Sequence, residues 1–481
     1  MRLVDYLDKG ASLGPDRPCL TTDGVSLTYR DVQDLSHRIA AALVAVGVGP
    51  GDKVAILSAN DPVAFSCVFG ISRAGAVWCP INPRNEATEN RELLDLFDCS
   101  VLVYQASFGP LVEKIRGDLP GIHTWVCLDP DGRADGGVLA WDEFLAGGEI
   151  GIAHDLPAEA DLAMIVGTGG TTGRPKGVML TGRNLETMTA ITLMSYPFPG
   201  RPIYLALAPL THAAGVLCFP IMCHGGEIVI MRKPDVAGFV GHIERHGVTH
   251  TFLPPTLIYM VLAEPALDST NLTSLQCFWY GAAPMSAARL QEAMTRIGPV
   301  MAQLFGQTEA PMMISTMAPA DHFDADGSVA TQRLSSAGRP APLVIVGIMD
   351  ADGTMLAPGE RGEIVVRGSL VTPGYYRNPQ ATAEASRFGW HHTGDIGYLD
   401  EDGFLFIVDR AKDMVITGGF NVYSTEVEQA VMQYPGVRDC AVVGLPDDKW
   451  GERVVAVLQT APGSDVEPDA VIAFVKARIG G

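Results

Sequence analysis

The chain has 481 residues, of which 47% are hydrophobic and 19% are charged, with a formal net charge of −21. This is an ordinary globular composition, and the length favours more than one domain. The negative charge argues against nucleic acid and anionic membranes as partners, because both would repel the protein. The start of the chain, Met1–Lys9, carries early acids and no long apolar run, so we expect neither a secretory signal nor a transmembrane segment.

Strand-like and helical segments alternate over residues 26–103. The predicted elements, in chain order, are the helix Asp31–Val46, the strand Val54–Leu57, the helix Pro62–Ala74, the strand Ala76–Ile81, the helix Glu89–Leu96 and the strand Val101–Tyr104. This alternation predicts a parallel sheet with helices on both faces. Residues 129–160 are rich in Asp, Gly and Glu, and we interpret them as a surface connection.

A glycine- and threonine-rich loop, residues 166–177, follows the apolar run Leu162–Val166. Its low side-chain bulk allows backbone N–H groups and threonine hydroxyls to face an anion, and Lys176 adds a positive charge. The chain has no Gly-Lys dipeptide, which excludes a Walker A loop, and Thr172 stands where a dinucleotide fingerprint needs its last glycine. We favour a polyphosphate loop, with a flexible glycine-rich hairpin as the alternative.

Alternating elements continue after this loop. The predictions are the strands 203–209, Glu227–Met231, Cys277–Tyr280 and Met301–Phe305, and the helices Gly215–Met222 and Val236–His246. Period-two alternation over residues 343–367 predicts a smaller antiparallel sheet. Beyond a polar break at Asp409, the helix Ser424–Gln433 and the strand Asp439–Val443 predict a small α+β domain.

Several short motifs follow the phosphate loop. They are Pro209–His212, Tyr280–Pro284, Phe305–Glu309, Trp390–Gly397 and Asp409–Val422. Each has a structural explanation of its own: a core histidine, a plain turn or a helix cap. In this order, however, they resemble the adenylate-forming enzymes, and among them the acyl-CoA synthetases, over nearly the whole chain. The adjacent His391 and His392 are not expected to form a metal site, because neighbouring residues on a strand point to opposite faces.

The resemblance implies an α/β fold in two domains. Residues 1–411 would form a large amino-terminal domain with mixed and parallel sheets flanked by helices, and with a small antiparallel barrel-like sheet. Residues 412–481 would form a small, mobile α+β domain that turns about Lys412. The family has a catalytic lysine in a Gly-Lys motif near the carboxyl terminus. Since this chain has none, we interpret the small domain as truncated and expect poor acyl-adenylate synthesis from these residues alone.

The resemblance also implies where ATP and Mg²⁺ bind. The phosphate loop would act through Thr168, Gly170, Thr171, Thr172, Gly173 and Lys176. The adenosine would be held by Gly281, Ala282, Ala283, Phe305 and Gly306, and by Asp395 and Arg410 at the ribose. Thr308 would meet the α-phosphate and Glu309 would bind Mg²⁺. Two glycines, Gly167 and Gly169, replace the family's usual aromatic residue and serine, which predicts looser phosphate binding.

The acid and the thiol would occupy neighbouring sites. By resemblance, His212 lies beside the substrate carboxylate, and Tyr280 and Gly306 belong to the acyl pocket. Acetate enzymes of the family carry a bulky tryptophan where Phe305–Gly306 stands, so we expect an acid longer than acetate. Residues Gly418, Gly419 and Phe420 would line the coenzyme A tunnel.

The implied function is that of an ATP-dependent acyl-CoA ligase, with Thr172, Lys176, His212, Thr308 and Glu309 as its catalytic residues. Its expected partners are a small carboxylic acid and coenzyme A, with a homodimer as a further possibility. Nine scattered cysteines without a Cys-x-x-Cys pair predict a cytoplasmic protein. The sequence leaves three alternatives open: an enzyme that loads a carrier protein, a luciferase-like oxygenase and a non-catalytic nucleotide-binding homologue.

Overall fold

The computed structural model describes residues 1–129, 136–148, 162–168, 175–410, 413–417, 420–447, 450–461, 463–464 and 466–479. We refer to residues 1–410 as the large lobe and to residues 413–479 as the small lobe. The described residues form four sheets, two in the centre of the large lobe, one at its edge and one in the small lobe. Among these residues, none of the helices combines the length and apolar character needed to cross a bilayer.

The first central sheet has seven strands in the order β7-β6-β5-β3-β4-β8-β9. Its strands are β3 (Lys53–Leu57), β4 (Val77–Ile81), β5 (Cys99–Tyr104), β6 (Thr124–Cys127), β7 (Val138–Ala140), β8 (Leu162–Thr168) and β9 (Lys176–Thr181). All neighbours pair in parallel except β8 and β9, which form an antiparallel pair at one edge. The phosphate loop connects these two strands, so the strand that enters the loop and the strand that leaves it are neighbours.

The second central sheet has nine strands in the order β16-β15-β14-β13-β12-β10-β11-β1-β2. Its strands are β1 (Pro18–Thr22), β2 (Val25–Thr28), β10 (Ile203–Ala206), β11 (Glu227–Ile230), β12 (His250–Leu253), β13 (Cys277–Gly281), β14 (Met301–Phe305), β15 (Ser315–Met317) and β16 (Arg339–Pro340). Its central strands β10 to β14 are parallel. Their carboxyl ends therefore lie along one edge, where ligands bind in open α/β sheets.

Helices separate and cover the two central sheets. They are α1 (Leu3–Leu13), α2 (Tyr29–Ala45), α3 (Pro62–Arg73), α4 (Ala87–Leu96), α5 (Gly109–Ile115), α6 (Trp141–Ala146), α7 (Gly182–Ser195), α8 (Ala213–Val216), α9 (Cys218–Cys223), α10 (Val236–His246), α11 (Pro255–Leu262) and α12 (Ala287–Arg296). Side chains alternate between the faces of each strand. On β13, for example, Trp279 joins the core between the sheets, whereas Phe278 and Tyr280 join the core under α10–α12.

The two smaller sheets are antiparallel. At the edge of the large lobe, β17 (Ile345–Met349), β18 (Gly362–Arg367), β19 (His391–Leu399) and β20 (Leu405–Arg410) form one sheet, with α13 (Pro379–Ala385) before β19. In the small lobe, the sheet order is β22-β21-β24-β23. The strands are β21 (Val415–Thr417), β22 (Phe420–Val422), β23 (Val437–Asp447) and β24 (Gly451–Thr460), and the helices are α14 (Ser424–Val431) and α15 (Pro468–Ile479).

Most predicted elements are present, and the differences have local causes. The described part of 129–160 contains β7 and α6, with Trp141 and Phe144 buried, so the prediction of a surface connection was wrong there. The predicted helix Gly215–Met222 is divided into α8 and α9. The helix predicted from Ser424 begins as expected, but no side chain caps it. Instead, the Ser424 hydroxyl donates to Asp409 at 3.1 Å.

Candidate active site

A cavity of about 650 Å³ opens at the carboxyl ends of β13 and β14. Residues 281–285 and 303–307 form its floor, and Asp395 and Arg410 line one side. The small lobe contributes the opposite wall, which includes Ser424, Glu428 and Glu452. The cavity thus lies between the two lobes at the sheet edge where a nucleotide is expected.

The backbone of Gly281 lies unusually close to β14. A Cβ atom on Gly281 would lie 2.2 Å from the carbonyl oxygen of Leu304, so only glycine allows these strands to approach. Ala282 then adopts a left-handed conformation with φ 66°. Such a turn exposes backbone groups to the cavity, which favours close contact with a flat base. Phe305, at the end of β14, is partly buried and lines the same cavity.

Asp395 on β19 is almost completely buried at the rim of this cavity. The Gln307 side chain donates to its Oδ2 atom at 2.8 Å and to the carbonyl of Thr393 at 2.7 Å. The Arg410 guanidinium lies 3.8 Å from its Oδ1 atom. Burial raises the pKa of Asp395 to about 6, although Arg410 and Gln307 both favour the ionised form. The carboxylate is therefore an acceptor near neutral pH, as recognition of two ribose hydroxyls requires.

Glu309 lies in the loop after β14, which is not helical, so the helix-cap explanation of this residue is excluded. The Tyr375 hydroxyl donates to its Oε1 atom at 2.7 Å. The ammonium of Lys176, at the start of β9, lies 4.9 Å above the centre of the Tyr375 ring. Burial and the neighbouring Glu309 raise the pKa of Tyr375, so its hydroxyl remains a donor. The structure therefore links Glu309 to the exit of the phosphate loop.

The residues around Glu309 fit one type of metal site. The described residues include no group of three or more His, Cys, Asp or Glu side chains that could hold a metal ion. Within the same residues, the Glu309 carboxylate is hydrogen-bonded only through Oε1. One carboxylate with a free oxygen fits Mg²⁺ that takes its other ligands from phosphate and water. It does not fit a metal held by protein ligands alone.

His212 lies at a second cavity, of about 240 Å³. This cavity is lined by Gly167 and Thr168 at the end of β8 and by Pro175 before β9. The His212 ring contacts the Thr211 hydroxyl at 2.8 Å. Burial and the positive charge of Arg84 lower the pKa of His212, which keeps the imidazole neutral. His212 and the two ends of the phosphate loop therefore share one opening.

Residues 7–376 match the AMP-binding enzyme family, and residues 426–481 match the C-terminal domain of AMP-binding enzymes. The chain belongs to the AMP-binding enzymes. It is 35% identical to the medium/long-chain-fatty-acid–CoA ligase FadD8 of Mycobacterium tuberculosis, over 96% of this chain and 81% of that protein. It is 34% identical to a feruloyl-CoA synthase of an Amycolatopsis species, over 98% of this chain and 91% of that protein.

The fold of this AMP-binding enzyme is also similar to that of a solved structure, the amide bond synthetase McbA from Marinactinospora thermotolerans. The TM-score is 0.89 at 29% identity, and the similarity covers 100% of this chain and 93% of McbA. The predicted family and the predicted α/β fold class are therefore confirmed.

The structure brings many of the predicted site residues of this AMP-binding enzyme together. Lys176 and Glu309 both contact Tyr375, and Thr168 lines the same cavity as His212. The larger cavity is lined by the predicted adenosine-binding residues. Those residues are Gly281, Ala282, Ala283, Phe305, Gly306, Asp395 and Arg410. Thr308, predicted to meet the α-phosphate, is partly buried in the same loop as Glu309.

Two predicted acyl-pocket residues have other surroundings. Tyr280 is fully buried in the core under α10–α12, and its hydroxyl lies 2.9 Å from His322 Nε2. A Cβ atom on Gly306 would lie 2.5 Å from the backbone of Met312, so the space beside this glycine is already filled by protein. We therefore remove Tyr280 from the acyl pocket, and Gly306 does not by itself open a deeper one.

Other predicted residues lie outside the described ranges. They are Gly170, Thr171, Thr172 and Gly173 of the phosphate loop, the hinge residue Lys412, and Gly418 and Gly419 of the predicted coenzyme A tunnel. Phe420 begins β22, and its backbone alone is described. Their roles stay predictions.

Gln307 and Tyr375 are site residues that the sequence did not predict. Gln307 lies inside a recognised motif, and a polar side chain between two predicted ligands was a usable signal. Tyr375 gave no comparable signal, because it lies 66 residues from Glu309 in the sequence and meets it only through the fold. The two neighbouring histidines do separate as expected: His391 faces Gln307 at 3.4 Å, and His392 contacts Glu363 at 2.7 Å.

Proposed function

We propose that this AMP-binding enzyme is an ATP-dependent acyl-CoA ligase that activates a carboxylic acid longer than acetate and transfers it to coenzyme A. One observation supports this best. The Glu309 carboxylate accepts a hydrogen bond from the Tyr375 hydroxyl, and the Lys176 ammonium lies over the Tyr375 ring. Glu309 is two residues from Gln307, which lines a cavity large enough for a nucleoside. These groups suit a metal-bound triphosphate, and the cavity beside them suits its adenosine. The named curated relatives, which are CoA ligases, support the same class of reaction.

In the first step, an oxygen of the substrate carboxylate attacks the α-phosphorus of ATP. The bond from this phosphorus to the bridging oxygen breaks, and pyrophosphate leaves with the electron pair. Lys176 stabilises the negative charge of the phosphates, Thr308 contacts the α-phosphate, and Asp395 and Arg410 fix the ribose. The chain needs no nucleophile of its own, so catalysis comes from positioning and charge stabilisation.

Mg²⁺, which Glu309 would bind together with phosphate oxygens and water, would neutralise part of the phosphate charge when present. The carboxylate of the acid would lie near His212, whose neutral ring donates or accepts a hydrogen bond without adding charge. The loop residues Thr168, Gly170, Thr171, Thr172 and Gly173 would surround the phosphates that leave.

In the second step, the sulfur of coenzyme A attacks the acyl carbon of the acyl-adenylate. The bond from this carbon to the phosphate oxygen breaks, AMP leaves, and the thiol proton passes to solvent. We propose that the small lobe turns about Lys412 between the steps, with the domain boundary at residues 411 and 412. Residues Gly418, Gly419 and Phe420 would then line the thiol tunnel.

We also propose a cellular compartment, a metabolic role and an oligomeric state for the enzyme. All nine cysteines are free thiols and most are buried, which suits a reducing cytoplasm. We place the reaction in fatty acid or other lipid metabolism and expect a homodimer, which sedimentation of the purified protein would test.

The decisive experiment follows AMP and pyrophosphate release with the full-length protein as it occurs in its host. A panel of medium-chain, long-chain and aromatic acids would be compared with acetate, each with and without coenzyme A. We expect AMP release with an acyl-CoA product for at least one larger acid, and weak activity with acetate. Equal AMP release without coenzyme A, or transfer only to a carrier protein, would contradict the proposal. Nucleotide binding without turnover would support a non-catalytic homologue.

A further inference from the structure

We propose that Tyr375 is a positioning residue that holds the Glu309 carboxylate ready for Mg²⁺ and keeps it apart from Lys176; this inference rests on the proposed function. Its hydroxyl donates to Glu309 at 2.7 Å, and its ring face lies 4.9 Å from the Lys176 ammonium. One side chain therefore contacts a negative group at its edge and a positive group at its face. In the described parts of the chain, no ion pair joins Lys176 directly to Glu309.

This separation has a chemical consequence. A direct ion pair between Lys176 and Glu309 would occupy the carboxylate oxygen that a metal needs and would reduce the positive charge that attracts phosphate. The tyrosine ring attracts the ammonium through its negative face, and its hydroxyl binds one carboxylate oxygen as a neutral donor. Tyr375 thus occupies one oxygen of Glu309 and leaves the other free for a metal. It leaves the positive charge of Lys176 available for phosphate.

The backbone around Tyr375 fixes it relative to both partners. The amide of Met179 on β9 donates to Gly374 at 3.1 Å, and the amide of Tyr376 donates to Gly177 at 2.7 Å. On the other side, the amide of Thr372 donates to the carbonyl of Glu309 at 2.7 Å. Residues 372–376 are therefore hydrogen-bonded both to the strand that leaves the phosphate loop and to the loop that carries Glu309.

The neighbouring Tyr376 provides a matched control. Its hydroxyl donates to Asp98 at 2.8 Å, on the side of the segment away from Glu309. The variants Tyr375→Phe and Tyr376→Phe each lose one phenolic hydroxyl that binds a carboxylate, and both keep the aromatic ring. Only the first loses the contact with Glu309, so a difference between them reports on that contact.

The first measurement is the Mg²⁺ dependence of pyrophosphate exchange at fixed ATP. For Tyr375→Phe we expect about ten-fold more Mg²⁺ at half-maximal rate, since a hydrogen bond to a charged group is lost, and a nearly unchanged rate at saturating Mg²⁺. Tyr376→Phe should match the wild type. A loss of rate that saturating Mg²⁺ does not restore, or equal behaviour of the two variants, would overturn the inference.

The second measurement does not depend on turnover. Binding of Mn²⁺ in the presence of a non-hydrolysable ATP analogue is followed by electron paramagnetic resonance. We expect weaker Mn²⁺ binding for Tyr375→Phe and wild-type binding for Tyr376→Phe. If the wild type binds Mn²⁺ but shows no exchange, the proposed function fails while the inference is still tested by this signal.

A double-variant cycle separates positioning from general damage. If Tyr375 acts through Glu309, then Glu309→Gln combined with Tyr375→Phe should bind Mn²⁺ no more weakly than Glu309→Gln alone. Additive losses would show that Tyr375 acts independently and would contradict the inference. Because Phe keeps the ring and its packing, unfolding is not expected; a thermal transition matched to that of Tyr376→Phe checks this.

Discussion

The two lobes of the molecule differ in how much apolar surface they bury. The large lobe contains several extensive clusters, and its fully buried side chains include Trp279, Phe219 and Phe404. In the described part of the small lobe, the buried hydrophobic residues are Val415, Ala430, Val431, Val442 and Val471. Since buried apolar area is the main source of stability, the large lobe is expected to be the rigid part of the enzyme.

Polar contacts connect the small lobe to the large one. Asp409 is buried and accepts hydrogen bonds from the backbone and hydroxyl of Ser424. Arg361 pairs with Glu426 at 3.5 Å and lies 5.2 Å from the centre of the Tyr423 ring. The half-exposed Arg361–Glu426 pair can be exchanged at low cost, whereas a shared hydrophobic core cannot. This difference supports our proposal that the small lobe turns while the large lobe holds the reacting groups.

Removal of the carboxylate proposed to bind Mg²⁺ in the large lobe should cause the largest effect. In Glu309→Gln the amide replaces the carboxylate that would bind Mg²⁺, and we expect a loss of acyl-adenylate formation of about 10²-fold or more. The measurement is pyrophosphate exchange. Glu384→Gln, at an exposed glutamate of α13, serves as the control. Normal exchange by Glu309→Gln would show that the site lies elsewhere.

A substitution at Gly306 tests the rigidity of the large lobe. The new Cβ of Gly306→Ala would meet the Met312 backbone at 2.5 Å, so we expect a loss of about 1–3 kcal/mol in the free energy of unfolding. Urea denaturation measures it. Gly200→Ala is the matched control, since its Cβ would meet nothing within 4 Å. Equal stability of both variants would mean that the loop yields easily.

The pKa of Asp395 predicts a pH-dependent nucleoside affinity. Burial raises this pKa to about 6, so the carboxylate that we propose accepts the ribose hydroxyls becomes protonated as the pH falls below that value. We expect adenosine to bind about ten-fold more weakly at pH 5 than at pH 7. At a pH one unit below its pKa the carboxyl is about nine-tenths protonated, and at one unit above it is about nine-tenths ionised. Adenosine has no phosphate that titrates in this range. Calorimetry should show weak, pH-independent binding for Asp395→Asn; a pH-independent wild type would refute the assignment.

The smallest effect is expected at the contact between the lobes. The Arg361 and Glu426 side chains are each about two-fifths exposed, and such a pair contributes about 0.2–1 kcal/mol. Arg361→Ala should therefore leave unfolding almost unchanged while it increases tryptic cleavage near residues 410–412. Arg387→Ala would be the surface control. Slower cleavage, or a large loss of stability, would indicate that the lobes form one rigid unit.

The sequence was most informative where local chemistry and periodicity agree. The helix Val236–His246 was predicted at its exact bounds, because Asp235 caps its start and Gly247 ends it in a left-handed conformation. The order of motifs also predicted which residues meet at the large cavity. The element β7 and the helix α6 were missed, since a composition rich in Asp and Gly concealed the buried Trp141 and Phe144.

The site was less predictable where contacts are distant in sequence. The glycine at position 306 was explained by space for an acid, whereas the fold requires it for the approach of Met312. Strand alternation predicts that Tyr280 and Trp279 point to opposite faces of the sheet. It does not predict which of the two faces carries the cavity. Tyr375 meets Glu309 and Lys176 only after three separate segments have assembled.

The strand β9 is the last strand of the seven-stranded sheet. The backbone groups on its outer side are hydrogen-bonded to Gly374 and Tyr376. An uncovered edge strand offers unpaired amides and carbonyls to other molecules and promotes aggregation. Residues 372–376, which we propose to orient Glu309, thus also protect this sheet edge from aggregation. Variants that loosen them would be lost from the supernatant during expression before any assay could detect a catalytic defect.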